Sequence, residues 1–117
     1  MSGELKDASL YALLLWLLRR RRRVRVTGTS MIPVLKPGDE VLVDPRAYRR
    51  ALPRPGDIVV ARHPYRTDAH VVKRVSLVSE NGECALRGDN ASESTDSRSF
   101  GHVSAGHILG RVTGRFA

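Results

Sequence analysis

From Val24 onward the sequence is a succession of short runs rich in Val, Ile and Leu, each stopped within a few residues by Pro, Gly, Asn or Asp. Runs of that length and composition make strands, and the stops make turns, so the chain is confined to a β domain of neighbouring strands. Strands are predicted near residues 23–27, 40–44, 57–62, 70–78, 83–87 and 107–115. Asn81-Gly82 lies between the fourth and fifth and marks a hairpin, because both residues tolerate positive φ. A short echo also runs through the region. Lys36-Pro37-Gly38-Asp39 precedes Glu40-Val41-Leu42-Val43, and Arg54-Pro55-Gly56-Asp57 precedes Ile58-Val59-Val60-Ala61. Pro followed by Gly suits the central positions of a type II turn, and turn chemistry alone explains the repetition. Residues 91–98 are polar and strand-poor, which indicates a surface loop.

The expected architecture is therefore mostly β: a compact, curved antiparallel sheet or partial barrel with one amino-terminal α-helix. With 117 residues there is room for a single catalytic unit, divided here into an apolar helix plus arginine run over 1–23 and a β domain over 24–117. The helix is expected from Asp7 or Ser9 through Leu18. Its apolar stretch, Ala8 to Leu18, has eleven residues, against the ~20 that a membrane-crossing helix needs. Positive charge follows that stretch instead of preceding it, which argues against a cleaved secretory signal.

The net charge of +8 is a local matter. Six of the twenty basic residues lie between Arg19 and Arg25, and the remaining fourteen face twelve acidic residues, leaving about +2. Three readings of the amino-terminal segment stand side by side. It can be a helix covering the core edge with arginines at its carboxyl end; an interfacial anchor over residues 8–23 held by anionic headgroups; or a nucleic-acid contact, for which no aromatic platform is present. No nucleic-acid partner is expected. Cys84 is the only cysteine, so no intramolecular disulfide forms, and a cytoplasmic location, with the inner membrane face as a peripheral option, fits best. The four histidines lack metal-ligand spacing, and neither a metal nor any other cofactor is expected.

Without a metal cluster, a Cys–His arrangement or a phosphate loop, a nucleophile has to be sought among hydroxyls. Ser30 stands where a strand gives way to an irregular segment ending in Pro33, a junction that can expose a hydroxyl. Gly28 there lets a substrate backbone approach, and nearby amides can face an oxyanion. Independently, alternation along 70–78 puts Val71, Lys73, Val75 and Leu77 on one face. An ammonium on an apolar face loses hydration, which favours the neutral amine that can accept a serine proton. The other reading is a lysine whose stem packs while its head reaches water.

Taken together, these segments resemble the signal peptidase I family of Ser-Lys proteases. Ser30-Met31-Ile32-Pro33-Val34-Leu35 is similar to its nucleophile box and Gly56-Asp57-Ile58-Val59-Val60 to the following strand. Lys73-Arg74-Val75 is similar to the box of the general base. Gly88-Asp89-Asn90, with Ser94, Asp96-Ser97-Arg98 and Phe100-Gly101, is similar to the last box. The resemblance implies Ser30 as nucleophile and Lys73 as base. It places the Ser30 amide, Gly28, Thr29, Met31 and Pro33 around the oxyanion and substrate, Ser94 against Lys73, and an Asp96–Arg98 pair in support. Gly28 stands where some members carry a second hydroxyl, so a backbone N–H or Thr29 has to serve. Only fourteen residues separate Lys73 from Gly88, too few for the accessory domain of larger leader peptidases.

Arg62-His63-Pro64 and the stretch Glu93 to Gly101 further resemble the compact branch that matures nickel-type superoxide dismutase. That likeness implies a precursor-protein substrate whose amino-terminal leader is removed, with nickel belonging to the substrate. A membrane-associated signal peptidase, a self-cleaving repressor-type protease and an inactive basic module that binds lipid or nucleic acid are the alternatives. The repressor type is disfavoured by the missing DNA-binding region.

Overall fold

A computed structural model of the chain describes residues 5, 7, 9–17, 20–66, 70–90 and 101–116, and all six predicted strands lie within them. They are β1 (Arg22–Arg25), β2 (Glu40–Asp44), β3 (Ile58–Arg62), β4 (His70–Val78), β5 (Cys84–Arg87) and β6 (Ile108–Phe116). One sheet contains them all in the order β1-β2-β6-β3-β4-β5, and every neighbouring pair is antiparallel. The pairing slips between Leu42 and Val43, between Val60 and Ala61 and between Val75 and Leu77. Slips of this kind bend and twist a strand pair, and three of them curl this sheet.

Curling explains why β3 reads as an unbroken apolar run. Ile58 and Val60 belong to one buried cluster with Val26, Met31 and Leu35, while Val59 and Ala61 belong to a second with Val75, Cys84 and Leu86. Both faces of β3 are covered, so alternation is lost. β4 keeps its alternation only as far as the slip. Lys73 and Val75 are buried as expected, but Leu77 is 54% exposed, because the bulge at Ser76 turns the following side chains over.

Both Pro-Gly turns form as read. Asp39 N–H donates to the Lys36 carbonyl and Asp57 N–H to the Arg54 carbonyl, each at 3.0 Å, with Gly38 at φ +90° and Gly56 at φ +97°. A positive φ in the second central position is the demand of a type II turn, and glycine meets it without a Cβ clash. The β4–β5 hairpin is one residue longer than a two-residue turn. Ser79 N–H donates to the Glu83 carbonyl at 2.9 Å, enclosing Glu80, Asn81 and Gly82, with the positive φ at Gly82.

The amino-terminal helix α1 spans Leu10–Leu17, two turns only, with no basic residue in its last turn. The arginines therefore do not act as its carboxyl cap. Arg22 and Arg23 already belong to β1, and two members of the run pair sideways, Arg21 with Asp44 at 3.6 Å and Arg23 with Glu40. Trp16 meets the Phe116 ring edge-on at 5.0 Å, and the Arg23 guanidinium lies 4.1 Å from the Phe116 ring centre. Ahead of the helix, Arg115 donates to Asp7 and to the Leu5 carbonyl, tying the segment to β6.

Candidate active site

The loop between β1 and β2 carries the Ser30 hydroxyl just ahead of two buried anchors. Met31 and Leu35 are fully buried, and the Leu35 N–H donates to the Met31 carbonyl at 2.9 Å; Ile32 N–H closes a turn onto the Thr29 carbonyl at 3.3 Å. Ser30, directly before the first of them, is half-buried. Gly28 takes φ +76°, and a Cβ there would stand in open space, so the approach beside the loop is unfilled. The Ile32–Pro33 peptide is cis.

Lys73 reaches the same place from β4, where its register partner is Val59. Its residue surface is 5% exposed, and it is the one charged residue in the buried class among the described residues. Ser30 and Lys73 line one cavity of about 160 Å³ together with Val24, Thr27, Val71 and Val72. A second cavity of about 450 Å³ shares Val24 and His70 with it and adds Val43, Val60 and Leu109 to an apolar floor, with Arg22, Arg46 and Arg49 on its walls. The two adjoin at those shared residues.

Strand edges flank these cavities. β5 joins β4 only from Arg74 onward, so among the described residues His70–Val72 border β3 alone. β1 is the last strand on its side of the sheet, paired only with β2. Among the described residues, Ser30 and Lys73 thus share a cavity lined by two stretches of main chain, each paired on one side only.

A clamp that the sequence reading did not foresee fixes the loop. Asn90 N–H donates to the Ser30 carbonyl at 2.8 Å, and the Asn90 side-chain amide donates to the Thr29 carbonyl at 3.1 Å. Its neighbour Asp89 takes two bonds from Arg74, at 2.8 and 2.9 Å, and Arg74 also donates to the Gly56 carbonyl at 2.9 Å. Arg74 directly follows the lysine, so one guanidinium ties the lysine strand to the segment that grips the serine loop. The hydrogen bond to Asp89 holds the Arg74 guanidinium above its ordinary pKa. Behind it, Tyr48 donates to Asp57 at 2.6 Å; burial first, and that bond second, push the Tyr48 phenol well above its usual range. Burial likewise raises the Cys84 thiol, which stays a packing group.

Of the residues singled out beforehand, Ser30 and Lys73 share the cavity, and Gly28 and Thr29 are exposed beside it. Met31 points into the core, 1% exposed, so its side chain anchors the loop and offers no surface to a substrate. Pro33 lines a separate depression with Leu5, Val34 and Arg115. Ser94, Asp96 and Arg98 lie outside the described residues. Among the described residues no three His, Cys, Asp or Glu side chains gather to hold a metal ion, and no helix is long and apolar enough to cross a membrane.

Comparison with known families gives the grouping. The Peptidase S24-like family matches residues 19–113, and the chain belongs to that family. It is also similar to the mitochondrial ATP-independent inner membrane protease subunit 1b of Arabidopsis thaliana, 34% identical over 110 aligned residues, covering 75% of this chain and 65% of that protein. Mitochondrial inner membrane protease subunit 1 of Schizosaccharomyces pombe is 36% identical, with 76% and 69% covered. That of Xenopus tropicalis is 30% identical, with 74% and 63% covered. The chain thus spans about two thirds of the length of these relatives. The S24-like family and the inner membrane protease relatives support the wider peptidase grouping that the motif resemblance indicates.

Proposed function

We propose that the chain is a serine endopeptidase in which Ser30 attacks and Lys73 carries the proton. The observation that carries this reading is the shared cavity: a half-buried serine and a buried lysine open into one small space between two strand edges. A peptide laid in the groove as an extra strand bonds through its main chain to β1 and to His70–Val72, and its side chains meet the apolar floor. The uncharged Lys73 amine accepts the Ser30 proton as Oγ adds to the scissile carbonyl. Loop amides at Thr29 to Met31 face the oxyanion. Collapse breaks the C–N bond, Lys73 returns the proton to the departing amine, and water, activated by the same lysine, hydrolyses the ester.

The substrate we propose is an amino-terminal leader on a precursor protein, with the nickel superoxide dismutase precursor as the candidate. The support is the likeness of Arg62-His63-Pro64 and of residues 93–101 to the branch described above. The purified chain should cut a peptide spanning the leader junction of that precursor. Ser30→Ala and Lys73→Met should each lower kcat by at least a thousandfold with an unchanged circular dichroism spectrum. Full turnover by either variant removes the dyad; cleavage of other leaders but not of this one removes only the substrate.

A further inference from the structure

Beside the Ser30–Lys73 cavity, the larger cavity of about 450 Å³ gathers three arginines from two separate segments, Arg22 from β1 and Arg46 and Arg49 from the turn that follows β2. Main-chain bonds fix that turn. Asp44 accepts the Arg46 N–H at 2.9 Å, and the Arg49 N–H donates to the Arg46 carbonyl at 3.2 Å. Elsewhere arginines of this fold meet carboxylates: Arg21 pairs with Asp44, Arg23 with Glu40, Arg74 with Asp89 and Arg115 with Asp7. Among the described residues none of the three cavity arginines has such a pair, and no Asp or Glu lines the cavity. Asp44, next to the turn, is already engaged by Arg21 and by the Arg46 amide. Like charges gathered around one hollow favour an anion from outside.

The floor of Val43, Val60 and Leu109 indicates what carries that anion. A bare inorganic anion would leave the floor wet, and a wholly apolar side chain would leave the arginines unanswered. Glutamate satisfies both, with its methylenes on the floor and its carboxylate among the guanidiniums. The place of this residue in a substrate follows from the strands. The cavity meets its neighbour at Val24 and His70, and Lys73 lies three positions beyond His70. That is roughly 10 Å of extended chain, which a peptide lying alongside covers in about three residues.

We infer that this cavity is a specificity subsite for a glutamate about three residues from the bond to be cut, so that the substrates are peptides carrying an acidic side chain there. The inference rests on the peptidase reading, and its test separates the two. Fluorescent peptides in which glutamate or glutamine is walked through every position are given to the purified full chain for cleavage and to Ser30→Ala for binding by anisotropy. Glutamate near the third position on one side of the cut should raise kcat/KM, and tighten binding, about tenfold over glutamine, with a smaller ratio in high salt. Arg22→Gln, Arg46→Gln and Arg49→Gln should each shrink that ratio about threefold. Arg46→Glu combined with Arg49→Glu should turn the preference toward lysine. Arg50→Gln, on the same loop but outside the lining, should keep it. The readout is a ratio of two peptides on one protein, so a partial loss of stability lowers both alike. Equal handling of glutamate and glutamine at every position overturns the subsite. So does a preference that the cavity arginine variants leave intact, or inhibition by inorganic phosphate with no preference for glutamate. Glutamate-selective binding by Ser30→Ala without cleavage by the natural chain overturns the peptidase reading alone, and cleavage without selectivity overturns the subsite alone.

Discussion

The two Pro-Gly-Asp turns do the same local job, and they differ in what else holds them. In the first, Gly38 N–H donates to the Val26 carbonyl and Val26 N–H to the Asp39 carbonyl; in the second, Gly56 N–H donates to Val75 and Val75 N–H to Asp57. Val26 leads into the Ser30 loop and Val75 follows Lys73, so one turn pins the segment entering that loop and the other the strand of the lysine. Each aspartate also accepts from the first residue of its own turn, Lys36 N–H at 2.9 Å and Arg54 N–H at 3.0 Å. There the likeness ends. Asp57 takes a further bond from Tyr48, and the Gly56 carbonyl takes one from Arg74. The lysine strand is braced by Tyr48 and Arg74 through its turn, while among the described residues the carbonyls of Thr29 and Ser30 are held by Asn90. A catalytic pair can be built from one rigid member and one adjustable member, and this asymmetry sets where mutation should tell.

The largest effect is expected at the element that joins the two halves. Asp89→Ala leaves the largely buried Arg74 guanidinium without its carboxylate and should cost about 3 kcal/mol of stability in a urea titration, with cleavage falling alongside. The turns themselves should separate next. Asp57→Ala strands the Tyr48 hydroxyl as well as the Arg54 amide and should cost about 2 kcal/mol, while Asp39→Ala should cost about 1 kcal/mol or less. Equal losses at both would end the comparison.

Asn90→Ala probes the adjustable side. It removes the side-chain bond to the Thr29 carbonyl and keeps the main-chain bond to Ser30, so the thermal midpoint should move little while kcat drops about tenfold with KM nearly constant, as expected when alignment is lost and binding is not. The smallest effect is in alkali. Tyr48 is held neutral in the fold, so its contribution is complete below the unfolded phenol pKa of about 10 and is lost as pH rises beyond that. Stability should decline more steeply above that pH in the natural chain than in Tyr48→Phe, followed by denaturant midpoints at successive pH values.

Much of this architecture was legible because its causes are local. Pro-Gly and Asn-Gly stops, with β-branched runs between them, place six strands without knowledge of their partners. Lys73 was legible too, since alternation extends unbroken to Val75. Leu77 was not, because the slip that turns it outward is created by pairing with β5 and leaves no mark in β4 itself. The same holds for the arginine run. Its charge suggests a helix end, but Arg22 and Arg23 are drawn into β1 by neighbours seventeen or more residues away, such as Glu40. Asn90 is the sharpest case. It grips Thr29 across 61 positions of sequence, and its only advance signal was membership of the Gly88-Asp89-Asn90 motif. Separation of that size is invisible to any window that reads propensity.

Bare strand margins are usually hazards, which proteins blunt because they recruit any stray chain. Among the described residues the margins at β1 and at His70–Val72 stay bare beside Ser30, and with Ser30 as the proposed nucleophile the hazard becomes a filter. Only a polypeptide whose own amides are still unclaimed can be accepted. A tail dangling from a finished globule qualifies, and the globule behind it, with every amide already engaged, is spared.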